Sequence, residues 1–219
     1  MVNSETPKPI SQPTWGVGPY QGDASSHPYF SKFDPQLLAE GDTRNVVDKY
    51  RYWKMEEIVK DLDSHRHPFH VAIENWQHDL NIGSIVRNAN AFLASSVQIV
   101  GNKRWNKRGA MVTDRYQHVE HRPDIQSLIE WSKTAGTNGQ ALPIIAIDNT
   151  PGCKQLEKTK LPKECILLFG QEGPGLSQQA LDASEMVLEI TQFGSTRSIN
   201  ASAAAAIAMH SWVLQHVFG

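Results

Sequence analysis

Apolar and polar positions follow two rhythms along this chain. Short apolar runs stand at residues 69–75 (FHVAIEN), 96–100, 142–147, 165–169 and 186–190, and each predicts a buried strand. Between them the spacing becomes helical. In NIGSIVRNANAFL, Ile82, Ile85, Val86, Ala89 and Leu93 share one face, and Asn81 stands where an N-cap belongs. Residues 124–132 predict another helix. A last one starts near Asn200, with Ala203, Ala206, Ile207, His210, Leu214 and Val217 along one stripe. Met55, Ile58, Val59 and Leu62 predict a helix over 44–62. Short strands alternating with helices predict an α/β domain with a mainly parallel sheet, whose ligands sit beyond the carboxyl ends of the strands.

The first 35 residues break this pattern. They hold six of the twelve prolines, with Gly16, Gly18 and Gly22, which forbids long regular elements. Trp15, Tyr20, Tyr29, Phe30 and Phe33 are too many aromatics for a solvated tail, so this arm is expected to dock on the main domain or on a second subunit. With 219 residues the chain divides into an extension over 1–62, an arm followed by a helix, and one catalytic domain over 63–219.

Composition narrows the chemistry. No apolar run approaches the roughly 18 residues of a membrane span, and the N-terminus lacks a secretory core. Cys153 and Cys165 form neither a CxxC nor a zinc spacing, so a reducing, cytoplasmic setting without membrane contact is expected. His65, His67 and His70 precede a strand without Cys or carboxylate partners at ligand spacing, and no metal is expected. Net charge is −2, so nucleic-acid binding would need a local patch.

Three polar loops leave predicted strand ends: residues 75–87, GQEGPGLS at 170–177, and TQFGSTRSINAS at 191–202. Glycines there let backbone approach a small molecule closely, although glycine-bearing turns alone would also explain any single loop. GQEGPGLS lacks the Gly-Lys-Ser/Thr ending of a phosphate loop and puts Glu172 beside the phosphates. No GxGxxG follows the first strand, and no GxSxG elbow is present.

NIGSIVRNANAF, LLFGQEGPGLS and ITQFGSTRSINASAAAAIAMH, in this order and spacing, resemble the three motifs of the SpoU/TrmH family of SPOUT methyltransferases. The resemblance covers about residues 69–218. It implies S-adenosylmethionine as cofactor, methylation of a ribose 2'-hydroxyl of tRNA or rRNA, a homodimer, and a Rossmann-like α/β sheet whose C-terminal segment forms a deep trefoil knot. By position it implies catalytic roles for Asn81, Arg87, Glu172, Ser198 and Asn200. Gly170, Ile190 and Ile199 fall where members contact the cofactor through backbone, with Asp148 a weaker candidate. Ala201 in place of a commoner Val, and polar Ser195, Thr196 and Arg197, depart from the pattern and bear on substrate preference.

Methyl transfer from a sulfonium requires alignment and removal of a proton, not a metal. Arg87 is the family's candidate for activating the hydroxyl, yet a guanidinium stays protonated, so anchoring a phosphate is physically easier. Ser198 and Asn200 can equally cap the last helix. Residues 101–122 carry six Lys/Arg against two Asp/Glu. Lys103, Arg104, Lys107, Arg108 and Arg115, with Trp105 and Tyr116 between them as stacking rings, form the expected RNA-facing patch. His210 reads as a packed histidine or dimer contact, and the run 203–206 allows close helix approach. The rival reading is a catalytically silent RNA-binding paralogue; a dinucleotide oxidoreductase is the third.

Overall fold

A computed structural model describes residues 16–77 and 81–219. The chain divides into two compact units between Ile58 and Val59. In the second unit the apolar runs become strands β1 (Phe69–Asn75), β2 (Val97–Gly101), β4 (Ile144–Ile147), β6 (Cys165–Phe169) and β7 (Met186–Glu189). Two strands lacking a strong apolar signal join them: β3 (Val119–Arg122) and the two-residue β5 (Lys154–Gln155), at the two edges of the sheet. All pairings are parallel, in the order β3-β2-β1-β6-β4-β7-β5. Edge strands face solvent and tolerate polar residues, which explains why periodicity did not reveal them.

Helices cover both faces. On one side Phe69, Val71 and Ile73 pack with α3 (Asn81–Ala91) through Ile82, Ile85, Val86 and Ala89, and with α6 (Ala201–His216) through Ala205, Ala208, Met209, Trp212 and Val213. On the other, Ala72, Ala146, Ile166 and Leu168 meet Ile125 and Leu128 of α4 (Ile125–Ser132) and Ala180 of α5 (Gln178–Asp182). This two-sided burial is why the central strands are continuously apolar. The register sets Asn75 opposite Gly101, and Phe169 opposite both Ile73 and Ile147, so the strand ends form one rim.

Several sequence expectations change. The stripe through Ala203, Ile207, His210, Leu214 and Val217 is the exposed face of α6, because the helix is apolar all round and its core face is the one carrying Met209 and Trp212. Asn81 is the first residue of α3, not its N-cap, and the capping position lies outside the described residues. Leu93 lies beyond the helix with φ 57°.

The first unit stands on its own contacts. Helix α1 (Pro35–Glu40) starts from an Asp34 cap with Pro35 in its first turn. The helix expected over 44–62 shrinks to α2 (Met55–Asp63). The carboxylate of fully buried Asp42 accepts from the Arg44 guanidinium and from the backbone N–H of Arg44 and Tyr52, and Tyr52 takes φ 64°. That knot of hydrogen bonds holds 44–54 out of the helix. Burial alone would raise the Asp42 pKa, but the Arg44 and Tyr52 hydrogen bonds outweigh it and hold the carboxyl below its usual range. Tyr20, Tyr29 and Phe33 pack on His27, Tyr52 and Trp53 of the same unit; Trp15 lies outside the described residues. Among the described residues no helix is long and apolar enough to cross a membrane.

Candidate active site

Where β6 ends, Phe169 is followed by Gly170, and the chain immediately turns back on itself. Gln171 and Gly175 exchange backbone hydrogen bonds of 3.3 and 3.1 Å. A Cβ on Gly170 would lie 2.2 Å from the Gly175 carbonyl carbon, so only glycine fits. Three neighbours fix this loop. Asp148, just past β4, accepts from Leu176 N–H at 3.0 Å and Asn149 N–H at 2.7 Å. Fully buried Glu74 accepts from the N–H and hydroxyl of Ser177, both at 2.7 Å, while Ser177 caps α5. Gln171 Oε1 accepts from Trp76 and Gln77 N–H at 2.8 and 2.7 Å.

The loop walls a cleft of about 210 Å³ at the sheet rim. Asp148, Gly170, Ile190 and Ile199, expected from sequence to hold a cofactor, all line it, as do Glu172 and Ser198. Sequence reasoning missed Asn149, Gln171 and Gln192. Apolar Ile147, Phe169, Ile190 and Ile199 offer walls for a flat ring, and the 170–175 backbone offers polar edges. Gln192 Oε1 is buried and has no hydrogen-bond donor among the described residues, an acceptor for which a bound molecule could supply the partner. These features fit S-adenosylmethionine, whose adenine needs apolar faces and polar edges together.

At the cleft's flank the three motifs meet. Asn81 Nδ2 donates to Glu172 Oε2, and Asn200 Nδ2 donates to Asn81 Oδ1 at 2.8 Å and to the same Glu172 oxygen at 3.4 Å. The Asn200 Oδ1 caps α6 through Ser202 and Ala203 N–H, which bears out the capping reading of Asn200. One turn pair further along α3, Asn88 donates to Ser202 O at 3.2 Å.

Arg87 lies elsewhere on α3. Six residues from Asn81, it points to a different face, is exposed, and makes no hydrogen bond or ion pair among the described residues. Its helical neighbour Gly83 packs on the basic loop: a Cβ there would meet Ala110 N at 2.8 Å and Asn106 O at 2.9 Å. The five expected RNA-binding cations, Lys103, Arg104, Lys107, Arg108 and Arg115, are all exposed, and Lys107 pairs with Asp114 at 2.8 Å. Of the two expected stacking rings, Tyr116 is buried, while Trp105 is half-buried, packed on the core that contains α3 with Lys107 Nζ 5.5 Å from its ring centroid.

The three histidines before and in β1 each have a neighbour, His65 Nδ1 lying 3.1 Å from Ser64 Oγ. His70 Nδ1 lies 2.7 Å from Ser96 Oγ, and burial pushes its pKa down to about 4. His67 stands by Phe69 and Trp212. Burial raises the Cys165 thiol to about 12, and burial followed by Glu189 raises Cys153, so neither is an activated nucleophile.

Residues 68–210 match the model of the SpoU rRNA Methylase family. Among curated relatives, the Saccharomyces cerevisiae tRNA (guanosine(18)-2'-O)-methyltransferase is 28% identical over 63% of this chain and 10% of that protein. The Borreliella burgdorferi enzyme of the same name is 24% identical over 74% and 73%. An uncharacterized tRNA/rRNA methyltransferase from Synechocystis is 28% identical over 78% of this chain and 45% of its own length. The chain thus spans a tenth of the Saccharomyces cerevisiae protein and under half of the Synechocystis one. Two solved structures share the fold. The SpoU methyltransferase AviRb from Streptomyces viridochromogenes, in complex with AdoMet, has TM-score 0.62 at 24% identity over 73% of this chain and 62% of that one. The A. aeolicus TrmH/SpoU tRNA modifying enzyme has TM-score 0.63 at 20% identity over 75% and 85%. With three motifs converging on one rim and two thirds of its length matched, this chain belongs to the SpoU rRNA methylase family.

Proposed function

We propose that this protein is an S-adenosylmethionine-dependent RNA methyltransferase acting on a ribose 2'-hydroxyl of tRNA or rRNA. The observation that carries this is the junction of Asn81, Glu172 and Asn200, far apart in sequence, beside a cleft whose glycine cradle admits no side chain. The relatives named above as tRNA 2'-O-methyltransferases support it.

S-adenosylmethionine supplies a methyl group on a good leaving group. Asp148, Gly170, Ile190 and Ile199 would hold it, with Gln192 Oε1 as a further acceptor. Asn81, Glu172 and Asn200 lock the flank of the cleft, and Ser198 lines its wall, so the reacting hydroxyl meets a fixed geometry. Arg87, exposed and permanently charged, anchors the phosphate beside that hydroxyl and steadies the charge that develops as its proton leaves. Lys103, Arg104, Lys107, Arg108 and Arg115 hold the RNA backbone.

Residues 63–219 form the methyltransferase domain and 1–62 its extension. The C-terminal segment forms a trefoil knot, a reading that rests on the match to the SpoU family. The protein works as a homodimer, supported by the exposed apolar stripe through Ile207, Leu214 and Val217, which a second copy would cover.

One equivalent of S-adenosylhomocysteine per chain is expected to bind and raise Tm, while NAD leaves Tm unchanged. Methyl transfer to unmodified tRNA or rRNA should follow. Cofactor binding without transfer to either pool would favour the silent RNA-binding paralogue.

A further inference from the structure

Trp76 is the residue after β1, and 43% of its surface is exposed. An exposed indole usually wags, but this one is tethered on every polar atom. Its N–H donates to Gln171 Oε1 at 2.8 Å, its carbonyl accepts from Asn102 Nδ2 at 2.8 Å, and its ring Nε1–H donates to Glu74 Oε1 at 3.2 Å. Glu74 is itself fully buried and held by Ser177. Beneath the ring lies Gly101, with φ +102°, where an added Cβ would come within 2.8 Å of Trp76 Cε3 and Cζ3. The bare glycine makes room for the ring.

Next to the Glu74 carboxylate that holds the indole, the adjoining loop is basic. Asn102 leads directly into exposed Lys103 and Arg104, and Asn75 pins this stretch by donating to the carbonyls of Asn102 and Arg104 at 2.6 and 2.9 Å. A rigid aromatic surface beside cations is the arrangement that binds unpaired nucleotides, the ring stacking on a base and the cations holding phosphate. Rigidity matters because little side-chain entropy is lost on binding.

We infer that Trp76 is a stacking platform for an unpaired base of the RNA substrate, set between the cofactor cleft and the basic loop. This rests on the RNA-methyltransferase reading and names the group through which an unpaired nucleotide is seated.

The test uses the full chain and two fluorescein-labelled RNA 12-mers at about 50 mM salt, one of mixed sequence and one abasic throughout, with Trp76→Ala and Trp76→Phe variants. The wild type should prefer the base-bearing 12-mer, Trp76→Ala should lose roughly five- to hundredfold of that preference, and Trp76→Phe should keep most of it. Binding of the abasic 12-mer and the S-adenosylhomocysteine Kd should stay within about twofold of wild type, as expected of a ring that only stacks. An unchanged preference in Trp76→Ala overturns the inference, as does equal loss on both 12-mers, which would mark a structural role. If the wild type binds neither 12-mer nor tRNA, the RNA reading itself fails.

Discussion

The cleft and the basic surface beside it are built in opposite ways. The cleft is made of backbone: Gly170 lets the loop close on Gly175, and Asp148, Glu74 and Gln171 hold main-chain N–H groups. The neighbouring surface is made of side chains, with Arg87 exposed on α3 and Lys103, Arg104 and Arg108 exposed on a loop that Gly83 and Gly109 seat against that helix. A backbone site tolerates almost no change at its glycines or at the few side chains that hold its N–H groups. A side-chain surface should lose function in increments.

The sharpest way to break this contrast is at the cradle. Gly170→Ala forces a Cβ into the backbone of Gly175, and is expected to cost about 3 kcal/mol or more, seen as a fall in Tm of roughly 6–12 °C for a chain of this size, together with loss of cofactor binding. A calorimetric scan showing wild-type Tm would mean that the loop is not closed as described. Next comes Arg87→Ala. Transfer should fall about a hundredfold or more in kcat, while Tm and the S-adenosylhomocysteine Kd hold, because the exposed side chain makes no hydrogen bond or ion pair among the described residues. A parallel loss of cofactor affinity would place Arg87 in the cleft instead.

Smaller effects sharpen the other half. Arg108→Ala should weaken RNA binding uniformly across sequences and reduce the slope of log K against log salt by about 0.7–0.9; an unchanged slope in a salt titration would remove Arg108 from the interface. The smallest effect concerns His70, on the face of β1 away from α3 and hydrogen-bonded to Ser96. Its folded pKa, about 4, lies below the ordinary value of 6.5, so the neutral ring's contribution is present above pH 6.5 and lost as pH falls toward 4. Urea titrations over that range should show wild type losing stability more steeply than His70→Gln. Parallel curves would mean that His70 does not titrate in the fold's stability.

These two regions also differ in how far the sequence reveals them. The cleft was legible because its chemistry is positional. Gly170 follows a continuous apolar strand, and Asn81, Glu172 and Asn200 sit at fixed places in three motifs, so residues distant in the chain were expected to act together. The central strands were legible for a similar reason, burial on both faces. The surface was half legible: cation spacing showed Lys103 to Arg115, but nothing in one dimension says which way a ring points. Tyr116 is buried and Trp105 half-buried against the core, while Trp76, which carried no motif signal, stands exposed over Gly101. The outward stripe of α6 escaped for the same reason, since a helix apolar all round gives periodicity no preferred side. In the first unit, buried Asp42 redirects 44–54 through hydrogen bonds that no hydrophobic period encodes.

The central claim is that this rim methylates a ribose hydroxyl. The most direct measurement is mass-spectrometric nucleoside analysis of unmodified tRNA and rRNA after incubation with isotopically labelled S-adenosylmethionine, for the wild type and Arg87→Ala. The account predicts a labelled methyl on the sugar fragment of one nucleoside, reduced about a hundredfold in the variant. A label on the base fragment, or equal sugar labelling by both proteins, would contradict it.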